Sequence, residues 1–224
     1  MIHAIFRQFL RFLPRACPGC GNSLEAHRGL CAFCQSNLKA QLDDHSPLRA
    51  IRLPHLIHLG PFEGPLKRCI YALKYQSSRE IAHTLAQPLS EAIPAWWNPS
   101  WITSVPLHRK RQNARGYNQS ALIGQALSEK TGIPHAHLLK RTRATAQQAK
   151  LEGLARLANV ENAFECPQKI TGNIVLIDDV FTTGSTLLAC EEALLKGGAT
   201  RVYFVTLARV SNDPKSRFKR DDHR

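Results

Sequence analysis

Residues Ile174 to Thr186 constrain the fold of this chain more than any other stretch. Ile174-Val175-Leu176-Ile177 run without polar alternation and end at Asp178-Asp179, followed by Val180-Phe181 and the turn Thr182-Thr183-Gly184-Ser185-Thr186. An unbroken run of β-favouring apolar residues suits a strand buried on both faces, and such strands belong to parallel sheets covered by helices. Leu187, Leu188, Leu194 and Leu195 continue at helical spacing as far as Gly197-Gly198, so the turn opens a helix. Backbone N–H groups at a helix N-terminus have no intrahelical acceptor and carry partial positive charge, which suits a phosphate. Two ionised carboxylates are acceptors only, and suit sugar hydroxyls or a hydrated Mg²⁺. A phosphorylated sugar satisfies both halves; a buried strand that merely ends in acids is the plainer alternative. No Gly-x-x-x-x-Gly-Lys-Ser/Thr loop occurs, which argues against a nucleoside-triphosphate site.

This stretch resembles the 5-phosphoribosyl-1-pyrophosphate (PRPP) signature of type I phosphoribosyltransferases. The resemblance implies that Asp178 and Asp179 hold the ribose 2′- and 3′-hydroxyls and that Thr182, Thr183, Gly184, Ser185 and Thr186 hold the 5′-phosphate. Mg²⁺ would accompany the pyrophosphate.

Four of the seven cysteines form a second pattern: Cys17-Pro18-Gly19-Cys20, ten residues, then Cys31-Ala32-Phe33-Cys34. Two such knuckles can set four thiolates tetrahedrally around one structural Zn²⁺, with Gly21, Asn22 and Gly29 as turn residues between them. His27 lies in that arm and reads as an exposed polar residue. A redox reading is weaker, because neither pair sits at a strand-to-helix junction. Cys69 and Cys190 read as core, and Cys166 as part of a turn before Pro167.

At 224 residues and 43% apolar content, the chain can hold one α/β domain and a small module. Thirty Lys and Arg against 17 Asp and Glu give a net charge of +13, which suits a polyanionic partner, either nucleic acid or an acidic membrane surface. At the N-terminus Ile2, Ile5, Phe6, Phe9 and Phe12 fall at helical spacing but are interrupted by Arg7, Gln8 and Arg11. That is neither a secretory signal nor a membrane span; it predicts a helix that docks on its own domain or lies on a membrane surface. The expected location is the cytoplasm, with peripheral contact at the inner face of the membrane as an option.

Three parts are expected: residues 1–47, an N-terminal helix and the zinc module, closing with the linker Asp43-Asp44-His45-Ser46-Pro47; residues 48–210, a phosphoribosyltransferase-like domain; and residues 211–224, a mobile basic tail. Within the domain, strands are predicted at Leu56 to Leu59, Trp101 to Val105, His137 to Leu139, the signature run and Arg201 to Ala208. Helices are predicted at Pro65 to Tyr75, Ser78 to Ile93 and Asn118 to Lys130, beside the one after the signature. This alternation argues for a parallel sheet with helices on both faces.

Val105 to Ser120 reads as a basic loop, including Arg109-Lys110-Arg111 and Arg115-Gly116-Tyr117, leading into a helix capped by Asn118 or Ser120. A further basic stretch, Arg141 to Gln148, is followed by Leu151, Arg156, Asn159 and Phe164. With the knuckles, the PRPP loop and Lys74 in Ala72-Leu73-Lys74-Tyr75, these motifs resemble the ComF family of competence proteins, in which a zinc module precedes a phosphoribosyltransferase-like domain. Glu152 and Ala155 depart slightly from the family pattern.

The resemblance implies a protein that handles single-stranded DNA during natural transformation, with DNA-uptake and recombination proteins as further partners. Lys74, Arg109 and Arg115 are candidates to reach a pyrophosphate. Arg109, Lys110, Arg111 and Tyr117 are candidates for a single-strand track, the Tyr by stacking. The alternative is a phosphoribosyltransferase acting on an unidentified acceptor; no acceptor-binding residue or general base can be named, so its catalytic residues stay unknown. A base-salvage enzyme predicts a base pocket and a less basic chain.

Overall fold

The computed structural model describes residues 16–24, 29–43, 55–76, 78–142 and 162–210. The N-terminal amphipathic helix, His27, most of the linker, the stretch Arg143 to Gln148 with Leu151, Arg156 and Asn159, and the tail from Ser211 lie outside the described residues.

The centre is β6 (Asn173–Phe181), flanked in parallel by β3 (Pro99–Ser104) and β7 (Arg201–Arg209). Beyond β7 comes β2 (Leu56–His58), also parallel, and then β1 (Gln41–Asp43), antiparallel, giving the order β1-β2-β7-β6-β3. Successive strand residues point to opposite faces, so the apolar run of β6 feeds two cores. Ile174 and Leu176 pack with Phe204 and Val202 of β7, while Val175 and Ile177 pack with Tyr203, Val205 and Leu207 on the other side. The second face carries α2 (Gly64–Tyr75), α3 (Ile81–Ala92) and α5 (Gln119–Thr131), through Ile70, Leu73, Leu85, Leu89, Ile123 and Leu127. The first face carries α6 (Ser185–Gly197), through Leu187, Cys190 and Leu194. The expected α/β class, a largely parallel sheet with helices on both faces, is what the chain adopts.

Three local expectations are corrected. The signature strand does not stop at the acids: β7 continues beside it as far as the Phe181–Arg209 pair, so its β7 edge stays hydrogen-bonded past Asp178 and Val180. The basic stretch after β3 is not all loop. Arg109–Arg115 form the short helix α4, whose N-terminus is capped by the His108 side chain accepting from Lys110 N–H and which stops at Gly116, φ 78°. Arg, Lys, Gln and Ala are strong helix formers, but with no apolar face they leave no periodic signal. The strand expected at His137 to Leu139 is replaced by an isolated bridge, Ile102 to His135, and by the antiparallel pair of β4 (Lys140–Arg141) and β5 (Phe164–Glu165).

The cysteine module shares the main core. Cys17, Leu24, Leu30 and Cys34 are buried in the same cluster as Ile57, Ile70 and Leu73, and β1, on the module side of residue 47, is the outer strand of the domain's sheet. Arg209 donates to Asp43, tying β1 to the end of β7. Among the described residues no helix is long and apolar enough to cross a membrane.

Candidate functional site

The pairing of β3 with β6 ends at Ser104 and Ile177, one residue before the acids. Asp178 and Asp179 therefore project where the sheet has lost a strand, and three helices close on that gap. From α2, Lys74 Nζ lies 2.8 Å from Asp179 Oδ1, both side chains being largely buried. From the first turn of α5, the Gln119 amide donates to Asp179 Oδ2, and its carbonyl oxygen accepts from the Arg115 guanidinium at the end of α4. Ser120 Oγ reaches Asp178 Oδ1 at 3.4 Å, and the same oxygen accepts the backbone N–H of Asp179 at 2.8 Å. Asn118 caps α5, accepting from Ser120 N–H at 3.0 Å, which leaves the Ser120 hydroxyl available to Asp178. Lys74 and Arg115, separate in the sequence, are thus brought to the acidic pair. Gln119, which holds Asp179 and Arg115 together, was missed because a helix N-terminal Gln carries no distinguishing pattern.

Burial and then the charge of Asp179 push the Asp178 carboxyl up to about 7, against the opposing pull of the Asp179 N–H, Lys74 and Ser120. Two carboxylates on adjacent residues near low-dielectric walls resist ionising together. A cation or hydroxyl donors arriving at the pair relieve that repulsion, so the site is primed for a polyhydroxylated or metal-bound ligand.

The loop Thr182 to Thr186 follows directly. Gly184, buried with φ 77°, opens α6 in a left-handed conformation that a side chain would disfavour. Thr183 Oγ1 lies 2.8 Å from Ser185 Oγ and accepts from Ser185 N–H at 3.5 Å, and the N-cap itself, Gly184, has no side chain to cap with. The first turn of this 13-residue helix therefore presents N–H groups and hydroxyls beside two acids, an arrangement suited to a phosphate.

The four Sγ atoms of Cys17, Cys20, Cys31 and Cys34 all lie within 4.8 Å of one another, with Cys20 and Cys31 at 3.5 Å. Zn–S bonds of about 2.3 Å in a tetrahedron put sulfurs about 3.8 Å apart, so the cluster fits a structural metal such as zinc. The backbone is shaped to it. Cys31 N–H points at Cys17 Sγ at 3.4 Å, Cys34 N–H at Cys31 Sγ at 3.5 Å, and a Cβ on Gly19 would sit 2.8 Å from Cys34 Sγ. Burial raises the Cys17 thiol, but N–H groups of Cys31, Cys20 and Gly19 outweigh it and bring it down to about 6, whereas burial and the neighbouring thiols push Cys34 well up, so the four thiols ionise together only with a cation among them. Cys31 caps the short helix α1 (Ala32–Ser36), and Arg68 of α2 donates to Gly19 O at 2.6 Å, fixing the first knuckle to the domain.

The candidate DNA-binding residues divide. Arg109, Lys110 and Arg111 are exposed along α4. Tyr117 is not available to a base: it is buried, its hydroxyl donates to Leu73 O and the Arg79 guanidinium covers its ring at 4.4 Å. The expectation of stacking there is corrected, since an aromatic next to a helix N-cap reads equally as a core plug.

A largely parallel sheet with paired acids, a small-residue helix start and converging Lys and Arg defines an α/β protein of phosphoribosyltransferase-like architecture, here joined to a four-cysteine module. No protein-family model matches the chain. It is 33% identical over 207 residues to DNA utilization protein YhgH of Escherichia coli (strain K12), covering 87% of this chain and 90% of that one. It is 31% identical over 231 residues to Competence protein F of Haemophilus influenzae, covering 90% of this chain and all of the relative. Competence protein ComFC of Bacillus subtilis is 28% identical over 198 residues, with 86% and 77% covered. Among solved structures, orotate phosphoribosyltransferase from Aeropyrum pernix aligns over 79% of this chain and 78% of that one, at 16% identity and a TM-score of 0.37. The chain belongs to the ComF family of competence proteins.

Proposed function

We propose that this protein handles single-stranded DNA during natural transformation and carries a PRPP-binding site of phosphoribosyltransferase type. The names of its relatives, competence protein and DNA utilization protein, support the first part. One observation carries the reading: the exposed cations of α4 run into Arg115, which is joined through Gln119 to the acidic pair, so a basic strip adjoins a sugar-phosphate site. In this reading Asp178 and Asp179 accept from the ribose hydroxyls, Thr182 to Thr186 hold the 5′-phosphate, and Lys74 and Arg115 face the pyrophosphate with Mg²⁺. Lys74 then exchanges Asp179 for a more highly charged partner. DNA-uptake and recombination proteins are the further partners, and the cytoplasm, with contact at the inner face of the membrane, is the location.

The second reading is an enzyme that transfers phosphoribosyl to an unidentified acceptor. It is favoured by the Asp178 carboxyl, held near neutrality, where a group can exchange a proton at working pH.

Titration of one nucleic-acid-free sample with oligo(dT) and with Mg²⁺·PRPP tests both readings. Each phosphate neutralised contributes about −0.7 to the slope of log K against log salt on single strands, so replacing Arg109, Lys110 and Arg111 by Ala flattens it by up to about 2. Absence of salt-sensitive oligonucleotide binding by wild type refutes the DNA-handling reading, and PRPP turnover by that sample establishes the enzyme.

A further inference from the structure

Helix α2 buries Cys69, Ile70, Ala72 and Leu73, and carries aromatics on the face turned away from that core. Lys67, Tyr71 and Tyr75 recur every four residues and so share one face. Tyr71 is 47% exposed and Tyr75 67% exposed. Phe62, just before the helix, extends the row: its ring centroid lies 6.3 Å from that of Tyr71 at an interplanar angle of 28°, and Tyr71 lies 5.7 Å from Tyr75 at 35°. Cations stand at both ends. Lys67 Nζ is 5.7 Å from the Phe62 centroid, and the Arg115 guanidinium is 5.2 Å from that of Tyr75. Arg111 lies one helical turn before Arg115 and shares its face of α4, continuing the line toward Lys110 and Arg109.

We propose that Phe62, Tyr71 and Tyr75, bounded by Lys67 and by Arg115 with Arg111, are the track on which single-stranded DNA lies, an inference that rests on the DNA-handling reading above. Single-strand binders combine a basic path for the backbone with aromatic faces for successive bases, and tolerate any sequence because every base has a π-face. Here both parts lie in one line. Cation–π contacts at exposed rings are weak, so a base arriving on a ring displaces the cation, which then meets a phosphate. An apolar protein partner would leave those cations without a counter-charge, whereas a polyanion suits a chain of net charge +13. The track ends at Arg115 and Gln119, beside the acidic pair, and takes over the stacking role that Tyr117 is too buried to play.

The test is fluorescence anisotropy of labelled oligo(dT) on the full-length protein across a salt series. Tyr71→Ala and Tyr75→Ala each weaken binding about 5- to 150-fold with an unchanged salt slope, while Tyr71→Phe and Tyr75→Phe stay near wild type. Lys67→Gln, an exposed change that leaves the fold intact, lowers the slope by about 0.7 and carries the test if the Ala variants fail to fold. Wild-type affinity in a folded Tyr71→Ala/Tyr75→Ala double variant, with salt-sensitive binding in the parent, overturns the track but leaves the DNA-handling reading standing. No oligonucleotide binding by the parent overturns both. If dTMP competes as well as the oligonucleotide at equal concentration, the rings are a nucleotide pocket and the track is refuted.

Discussion

Asp178→Asn should make the protein more stable at pH 8 while weakening the site. In the folded chain the Asp178 carboxyl is raised from 3.8 to about 7, first by burial and then by the charge of Asp179. Between those values the native state holds a proton that the unfolded chain has released, so the contribution of this group to stability falls as pH rises through the window and is fully lost above pH 7. At 1.36 kcal/mol per pH unit, the rise sets a ceiling of about 4 kcal/mol. Asp178 is only partly buried, and water can relax around an ionised carboxylate, so an effect of about 1–2 kcal/mol is expected. For a chain of this size that is roughly 2–8 °C in midpoint. Asn keeps an oxygen to accept from the Asp179 N–H and the Ser120 hydroxyl, and it does not titrate. The assay is thermal or urea unfolding of both proteins at pH 4.5, 6 and 8, read as the difference between them so that His58 and His135, buried and lowered by desolvation, cancel. The variant should gain little at pH 4.5 and most at pH 8. A difference independent of pH, or a variant less stable than wild type at pH 8, refutes the assignment of strain to ionised Asp178.

Metal analysis of reductively purified protein should find one zinc per chain. Cys34→Ser should lower that content below half and destabilise the fold, because the cluster shares its core with α2. Mg²⁺·PRPP at a hundredfold excess over Kd should stabilise wild type by about 2.7 kcal/mol, and Asp179→Asn should reduce that shift; equal midpoint shifts in the two proteins would remove Asp179 from the ligand site. Tyr117→Phe, losing its hydrogen bond to Leu73 O, should cost about 1 kcal/mol of stability, and Tyr117→Leu, which removes the ring, should leave the oligonucleotide affinity of the folded protein unchanged; weakened binding by the folded Leu variant would return Tyr117 to the DNA surface.

Features written in neighbouring residues are legible in the sequence by itself. The run Ile174 to Ile177 demands a strand covered on both sides, because four consecutive apolar residues on a pleated strand face two cores. The acids and the loop follow it covalently. The Cys-x-x-Cys spacing holds each pair of sulfurs close through its own turn, and Asn118 and Gly132 mark the ends of α5 by their local capping chemistry. Helix α4 leaves no such mark, because exposed polar residues form a helix without a period in apolar character.

What tertiary structure alone decided is which distant residues meet. Lys74 and Asp179 are 105 residues apart, Gln119 and Asp179 sixty, and Tyr117 reaches Leu73 across 44. None of these pairings follows from a periodicity. They depend on strand β3 ending one residue short of the acids, which opens a gap that α2 and α5 fill from one side of the sheet. The same packing turned Tyr117 inward, left Tyr71 and Tyr75 outward and set Phe62 half-buried at the edge of the core, although each of the four has a Lys or Arg close by in the sequence. Apolar patterning says how much of a helix must be buried; the order of strands and the helices packed across them determines which side chains are left to face solvent and ligand.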